Sequence, residues 1–212
     1  HFTDRRQRQM CIRDSNWNLP LVEDCAEALG SWRSGLHCGL TGDVGTLSFN
    51  GNKILTTGGG GAIITSDKTI AERAKHLSTT AKIQHPWEYN HDQVGWNDRM
   101  PNLNAAIGLA QMEILDETLN KKRKIFNSYQ EVFDGFEEIK LIKEQKNTIC
   151  NYWLVTLSLN FKSSTNADLL KNKILSMAHE KGLLLRPLWK PLNQLPMYRS
   201  CLLYTSPSPR DL

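Results

Sequence analysis

The chain has 212 residues, 40% hydrophobic and 23% charged, with a formal net charge of +4. This length accommodates one or two domains with a sizeable core, and the composition is that of a soluble globular protein. No apolar run reaches the roughly eighteen residues of a membrane helix, no signal-peptide pattern opens the chain, and no basic stripe interleaved with aromatics points to nucleic acid. The five cysteines, Cys11, Cys25, Cys38, Cys150 and Cys201, are odd in number and lack CxxC spacing. A disulfide framework and a metal site are therefore not expected, and a reducing cytoplasm fits the chain best.

The opening HFTDRRQRQMCIRDS (1–15) has no apolar period, and the closing CLLYTSPSPRDL (201–212) turns abruptly to Ser/Pro/Arg composition. Both resemble translated sequencing-adapter sequence and are read as foreign or disordered tails. In the body, Leu19–Val22 predicts a buried parallel strand running into EDCAEALG, with chemistry at its carboxyl end. Two more strands are predicted at Thr46–Phe49 and Ala62–Thr65. Ser66 and Asp67 then open a helix through Ile70, Ala71, Ala74 and Leu77.

Residues 80–99, TAKIQHPWEYNHDQVGWNDR, have neither helical nor strand period and read as a long functional loop. From Pro101 one long helix is predicted to about Phe133, with Ala106, Ile107, Ala110, Ile114 and Leu115 forming a core stripe. Asn151–Leu159 reads as a strand. Asn166 is expected to cap a helix through Leu169, Leu170, Ile174 and Met177 that stops at Gly182. Pro187 keeps the following LLLRPLW extended. Strands alternating with helices make the class α/β, with a change in character near residue 120.

The most informative stretch is SFNGNKILTTGGGGAII, Ser48–Ile64. A phosphate-cradling Walker loop is excluded by order, because its lysine must follow the glycines and precede a helix. The four glycines read most simply as a tight turn or bulge between strands. Asp24, at the end of an apolar strand, and Lys53, near a neighbouring strand end, match what pyridoxal phosphate demands. The lysine amine would bond the cofactor aldehyde, and the carboxylate would pair with the pyridine nitrogen. Ser48 offers a hydroxyl to a phosphate. On spacing alone this stands beside the plain hairpin with a solvated lysine.

Three ordered blocks then carry a resemblance: VEDCAEALGS, GDVGTLSFNGNKILTTGGGGAIIT and GWNDRMPNLNAAIGLAQMEIL. The chain resembles the DegT/DnrJ/EryC1/StrS family of pyridoxal-phosphate-dependent sugar aminotransferases of fold type I. The loop 80–99 and the ending RPLWKPLNQLPMYR look most like the branch of legionaminic acid and bacillosamine pathways. The resemblance implies that Asp24 binds the pyridine nitrogen and that Glu27 lies near the cofactor ring. It also implies that Ser48 holds the phosphate, that Lys53 is the covalent and proton-transferring group, and that Asn97 reaches the partner subunit's cofactor in a homodimer with shared active sites. Asp98 stands where members usually carry an aromatic, and Trp96 where tyrosine is more frequent.

By the same resemblance, residues 16–118 are part of the large cofactor-binding domain and 119–200 the small C-terminal domain. The N-terminal part of the family's large domain has no counterpart upstream of Asn16, so the chain reads as a fragment with half a cofactor pocket. His85, Trp87 and Arg186 are candidate substrate contacts, with packing the better reading for Trp189. His37, His76 and His179 have no partner pattern, and His91 beside Asp92 is a pair on paper. Cys25 reads as a small inert filler. The implied reaction moves an amino group from L-glutamate to the 4-keto group of a nucleotide-linked 6-deoxy-hexose of UDP-N-acetyl type. The alternatives are another keto sugar, such as a GDP-perosamine precursor, or a non-catalytic fragment acting by interaction.

Overall fold

The computed structural model describes residues 19–160, 164–191 and 194–198, and the tails expected at 1–15 and 201–212 lie outside them. The chain separates into two compact units, His1–Ser158 and Leu159–Leu212.

In the first unit, β1 (Val22–Asp24) pairs in parallel with β4 (Val44–Ser48), and β4 pairs antiparallel with β5 (Gly61–Ile64). The registers are Asp24 opposite Thr46 and Ser48 opposite Gly61. The parallel pairing agrees with the sequence, but the strand starts later than Leu19. Leu21 is still occupied with Asp43, donating its N–H to Oδ2 at 2.7 Å. Val22 is 62% exposed, so β1 is not buried among the described residues.

A second sheet of order β3-β2-β7 escapes sequence reading, because its strands are two residues each: β2 (Trp32–Arg33), β3 (Leu36–His37) and β7 (Thr148–Ile149). The β2–β3 hairpin turns on Ser34 and Gly35, both at positive φ (50° and 82°), as a two-residue turn matched to strand twist requires. Through β7, residues of the 148–153 region reach the segment that follows β1. A two-stranded sheet pairs β6 (Ile139–Leu141) with β8 (Leu157–Leu159). The strand expected over Asn151–Leu159 is thus confined to its last three residues. Asn151–Trp153 is instead irregular and buried.

Helix α1 (Lys68–Ser78) is capped by Asp67, whose carboxylate accepts from the N–H groups of Thr69 and Ile70. Leu77, Ser78 and Thr80 then hold the loop 80–99 by backbone bonds to Trp96 and Asp98, with Ala81 fully buried at its base. The long helix expected from Pro101 is two: α2 (Asn102–Glu113) and α3 (Leu115–Phe133), broken at Ile114 (φ −109°, ψ 12°). Asp116 and Glu117 in the first turn of α3 suit a new helix N-terminus.

The expected core stripe is corrected as well. Ile107 and Ile114 are 42% and 52% exposed, and the face of α2 that packs is the polar one, Asn104, Gly108 and Gln111. Helix α3 follows the usual amphipathic pattern, with Leu115, Leu119, Arg123, Phe126 and Phe133 turned inward. Phe126, 3% exposed, stacks on Tyr152 at 3.8 Å.

In the second unit, α4 (Ser164–Glu180) begins two residues before Asn166, which therefore stands in the first turn and is not the cap. Its inward face is Ala167, Leu170, Ile174 and Ala178, while Leu169 and Met177 face outward. The stop at Gly182 is as expected. Its φ of 75° is the left-handed conformation glycine adopts freely, and it lets Leu183 donate back to the Ala178 carbonyl.

Candidate active site

β1 and β4 run the same way, so their carboxyl ends lie side by side, the position at which open α/β sheets present ligand-binding groups. Strand alternation sends Glu23 and Asp24 to opposite faces. Glu23 is structural: its carboxylate accepts from the N–H groups of Gly39, Thr41 and Gly42. Asp24, exposed at the strand end, accepts a single hydrogen bond among the described residues, from Ala26 N–H at 3.2 Å. Its neighbour Cys25 is buried, and desolvation, with Glu23 second, pushes its thiol up to about 11, consistent with an inert filler.

Ser48 ends β4, and residues 49–60 form a loop closed at its base by Phe49 N–H to Gly60 O (2.9 Å) and Thr57 N–H to Phe49 O (3.0 Å). Gly61 re-enters the sheet so closely that a Cβ there would lie 2.3 Å from the Leu47 carbonyl oxygen, so this last glycine of the run is fixed by space. Lys53 sits within this loop. It is neither a strand residue nor a solvated surface lysine: its side chain is 13% exposed. Its Nζ donates to Glu27 Oε1 at 3.0 Å and lies 4.5 Å from the centre of the Trp153 ring. Ala26, Glu27, Leu29, Ser48, Lys53, Ile54 and Leu55 line a shallow open depression.

Three of the sequence-predicted residues, Glu27, Ser48 and Lys53, thus meet around one depression, and Asp24 lies at the strand end that leads into it. The donor set fits pyridoxal phosphate. It offers an amine that is largely enclosed, a carboxylate with spare acceptor capacity, and a hydroxyl whose own bond, accepted from Asn50 N–H, is long at 3.4 Å.

The remaining candidates lie elsewhere. Asn97 is exposed and bridges to Thr79. His85 stands edge-on to Trp87 (4.8 Å), which is 75% exposed, and its Nδ1 accepts from Glu88 N–H at 3.0 Å. Arg186 stacks 3.7 Å over Trp189, which is exposed and not packed in a core.

The histidine readings change. His76, not His91, pairs with Asp92 at 2.8 Å, and that hydrogen bond lowers the Asp92 carboxyl. His91 Nδ1 is bonded to the Thr80 carbonyl. His37 Nε2 accepts from Gly30 N–H, and His179 is bonded to the Leu185 carbonyl, so neither lacks a partner. Among the described residues no cluster of His, Cys, Asp and Glu is arranged to hold a metal ion.

Sequence reasoning missed the residues that hold the site. Asn151 donates from Nδ2 to the carbonyls of Glu27 (2.8 Å) and Leu29 (2.9 Å), and its Oδ1 accepts from Trp153 N–H. Trp153 Nε1–H donates to the Asn52 carbonyl at 2.6 Å. Behind them, Lys122 donates to the Trp153 carbonyl, and Arg123 pairs with both oxygens of Glu144 at 3.0 Å. On the far side of the loop, Gln111 accepts from Thr56 N–H and Asn104 donates to the Thr57 carbonyl. The only available signal was ICNYWL, a buried polar residue beside two aromatics.

The profile of the DegT/DnrJ/EryC1/StrS aminotransferase family matches residues 10–209. Over 189 residues the chain is 35% identical to the putative pyridoxal phosphate-dependent aminotransferase EpsN of Bacillus subtilis (strain 168), covering 89% of this chain and 47% of that protein. Over 181 residues it is 38% identical to GDP-perosamine synthase of Escherichia coli O157:H7, covering 85% and 47%. The chain thus spans about half the length of these curated relatives. The crystal structure of the aminotransferase TlmJ from Streptoalloteichus hindustanus superposes with a TM-score of 0.79 at 26% identity, over 87% of this chain and 49% of that one. The α/β architecture is therefore that of fold type I, and the chain belongs to the DegT/DnrJ/EryC1/StrS aminotransferase family.

Proposed function

We propose that the protein of this chain is a pyridoxal-phosphate-dependent aminotransferase that moves an amino group from L-glutamate to the 4-keto group of a nucleotide-linked 6-deoxy-hexose. The observation that carries this reading is the enclosed Lys53 amine beside Glu27 and Ser48, at the carboxyl ends of β1 and β4. A histidine in place of this lysine would favour the dehydratase chemistry of the same fold.

Bound pyridoxal phosphate supplies an electron sink that acidifies the C–H bond next to the donor nitrogen. With the cofactor bound, Lys53 Nζ would be the group that holds its aldehyde carbon and the base that carries a proton to and from the substrate carbon. Asp24 would hold a proton at the ring nitrogen, and Ser48 Oγ would bind the phosphate. Glu27 Oε1 orients the Lys53 amine. The net reaction converts L-glutamate and the 4-keto sugar nucleotide into 2-oxoglutarate and the 4-amino sugar nucleotide.

The UDP-N-acetyl type of sugar is supported by the resemblance of the loop 80–99 and of the segment from Arg186. A GDP-linked sugar is supported by the 38% identity to a GDP-perosamine synthase. His85 and Trp87 are proposed sugar-nucleotide contacts of the first unit, and Arg186, in the second, is proposed separately as a substrate-binding residue. The reading extends to a homodimer in which Asn97 reaches the partner's cofactor phosphate, to residues 16–118 as large domain and 119–200 as small domain, and to a cytoplasmic location.

The test is to add pyridoxal phosphate, reduce with borohydride and locate the pyridoxyl label by mass spectrometry. It is run on this chain and on the same chain placed behind the N-terminal half of the E. coli relative. Label concentrated on Lys53 in either form is the expected result. Label spread over exposed lysines in both forms overturns the aminotransferase reading. UDP- and GDP-linked 4-keto sugars offered to the labelling-competent form then decide the nucleotide.

A further inference from the structure

The segment that grips the Lys53 loop comes from about a hundred residues further along the chain, and two of its contacts converge on one side chain. Trp153 is 9% exposed, the centre of its ring lies 4.5 Å from Lys53 Nζ, and its Nε1–H donates at 2.6 Å to the carbonyl of Asn52, the residue before Lys53. The indole is fixed from behind by Asn151 Oδ1 on its backbone N–H and by Lys122 Nζ on its carbonyl. Asn151 also binds the carbonyl of Glu27, whose carboxylate is the other partner of Nζ.

We infer that Trp153 is a positioning residue for Lys53: its ring face holds the amine at the depression and its N–H fixes the backbone that carries it. An ammonium over an indole face is attracted by the ring quadrupole, the strongest of the aromatic side chains. The direction matters. With both the ring and Glu27 in contact with Nζ, the lysine stem has little freedom to swing into solvent, and the amine meets an incoming aldehyde from a fixed place. Removing the face while leaving the loop folded frees the amine and makes its reactions less directed. The inference rests on the proposed function only for the cofactor arm of its test.

The first arm uses no cofactor. Lysines are methylated with formaldehyde and a mild hydride, and Lys53 is compared by mass spectrometry with exposed Lys68 and Lys121. Trp153→Leu should raise the Lys53 rate about fivefold relative to those lysines, whereas Trp153→Phe, which keeps a ring face, should stay closer to wild type. In the second arm, trapping of pyridoxal phosphate on Lys53 should fall by a similar factor in Trp153→Leu. Should Trp153→Leu not fold, fluorinated tryptophan incorporated throughout weakens the ring quadrupole without changing its shape. The Lys53 methylation rate should then rise with each added fluorine.

Wild-type ratios in Trp153→Leu, or no response to fluorination, overturn the inference. An equal effect in Trp153→Phe and Trp153→Leu overturns the ring-face contact, since the indole N–H bond to Asn52 is lost in both variants and would then be responsible. The expected methylation change without any pyridoxyl label on wild-type Lys53 leaves the positioning contact standing and removes the cofactor reading instead.

Discussion

Lys53 Nζ and Glu27 Oε1 meet at 3.0 Å although the two residues lie on different loops, with side chains 13% and 50% exposed. The pair is half-solvated, so its contribution to stability is small, about 0.5 kcal/mol. Its role is one of aim. Glu27→Gln, which keeps the shape and an acceptor oxygen, should leave the melting temperature nearly unchanged. It should still raise the methylation rate of Lys53 relative to Lys68, read by the same mass-spectrometric comparison. A large drop in melting temperature with no change in Lys53 reactivity would make the pair structural.

Asn151 is the polar residue on which the site's scaffold depends. It is 5% exposed and makes four hydrogen bonds: two donated from Nδ2, one accepted at Oδ1, and one from its backbone N–H to Ser31 Oγ. Asn151→Ala would orphan the part-buried carbonyls of Glu27 and Leu29 and the buried N–H of Trp153. The expected loss is about 2–3 kcal/mol in denaturant unfolding. Asn151→Asp, which retains the acceptor for Trp153 and loses both donors, should be as harmful or worse, since it leaves a charge beside two carbonyl oxygens.

The grouping of the candidate residues was legible where they lie close in sequence. Asp24, Ser48 and Lys53 follow strand runs, and the glycines that shape the loop are visible as glycines. What could not be read is long-range or too short for a period. The two-residue strands β2, β3 and β7 carry no alternation. The contact of Trp153 with Asn52 spans 101 residues. The face of α2 was misassigned for a physical reason: the loop beneath it offers polar backbone groups at Thr56 and Thr57. Hydrogen bonds from Asn104 and Gln111, together with close contact at Gly108, therefore win over the apolar stripe. His76 was invisible as the partner of Asp92 because only the folded loop brings residues sixteen apart together.

Within the glycine run, the structure separates a position set by space from one that is not. A Cβ at Gly61 would stand 2.3 Å from the Leu47 carbonyl oxygen, a backbone atom that cannot move without breaking the β4–β5 pairing, whereas Gly59 has nothing within 4 Å. Gly61→Ala should cost about 2–3 kcal/mol or prevent folding, and Gly59→Ala should be within about 0.5 kcal/mol of wild type. Parallel thermal melts of the two variants check this, and equal melting temperatures would contradict the close approach.

The Arg123–Glu144 pair ties α3 to the segment that carries Trp153, and it makes a pH prediction. Glu144 is held below its ordinary value of 4.5, chiefly by the hydrogen bonds from Arg123 and then by the Cys150 N–H, which donates to Oε2 at 2.9 Å. A carboxyl lowered in the folded state adds stability above its unfolded value, and that stability is lost as pH falls through the folded value. Glu144→Gln should therefore be less stable than wild type at pH 7 by about 1 kcal/mol. That figure is discounted from a buried bidentate pair because Glu144 and Arg123 are 30% and 36% exposed. The gap should close progressively as pH drops below 4.5, where the wild-type carboxyl takes up its proton. Urea unfolding of both proteins between pH 7 and pH 3 measures it. A gap that stays constant across that range would mean that Glu144 acts through shape and not through charge.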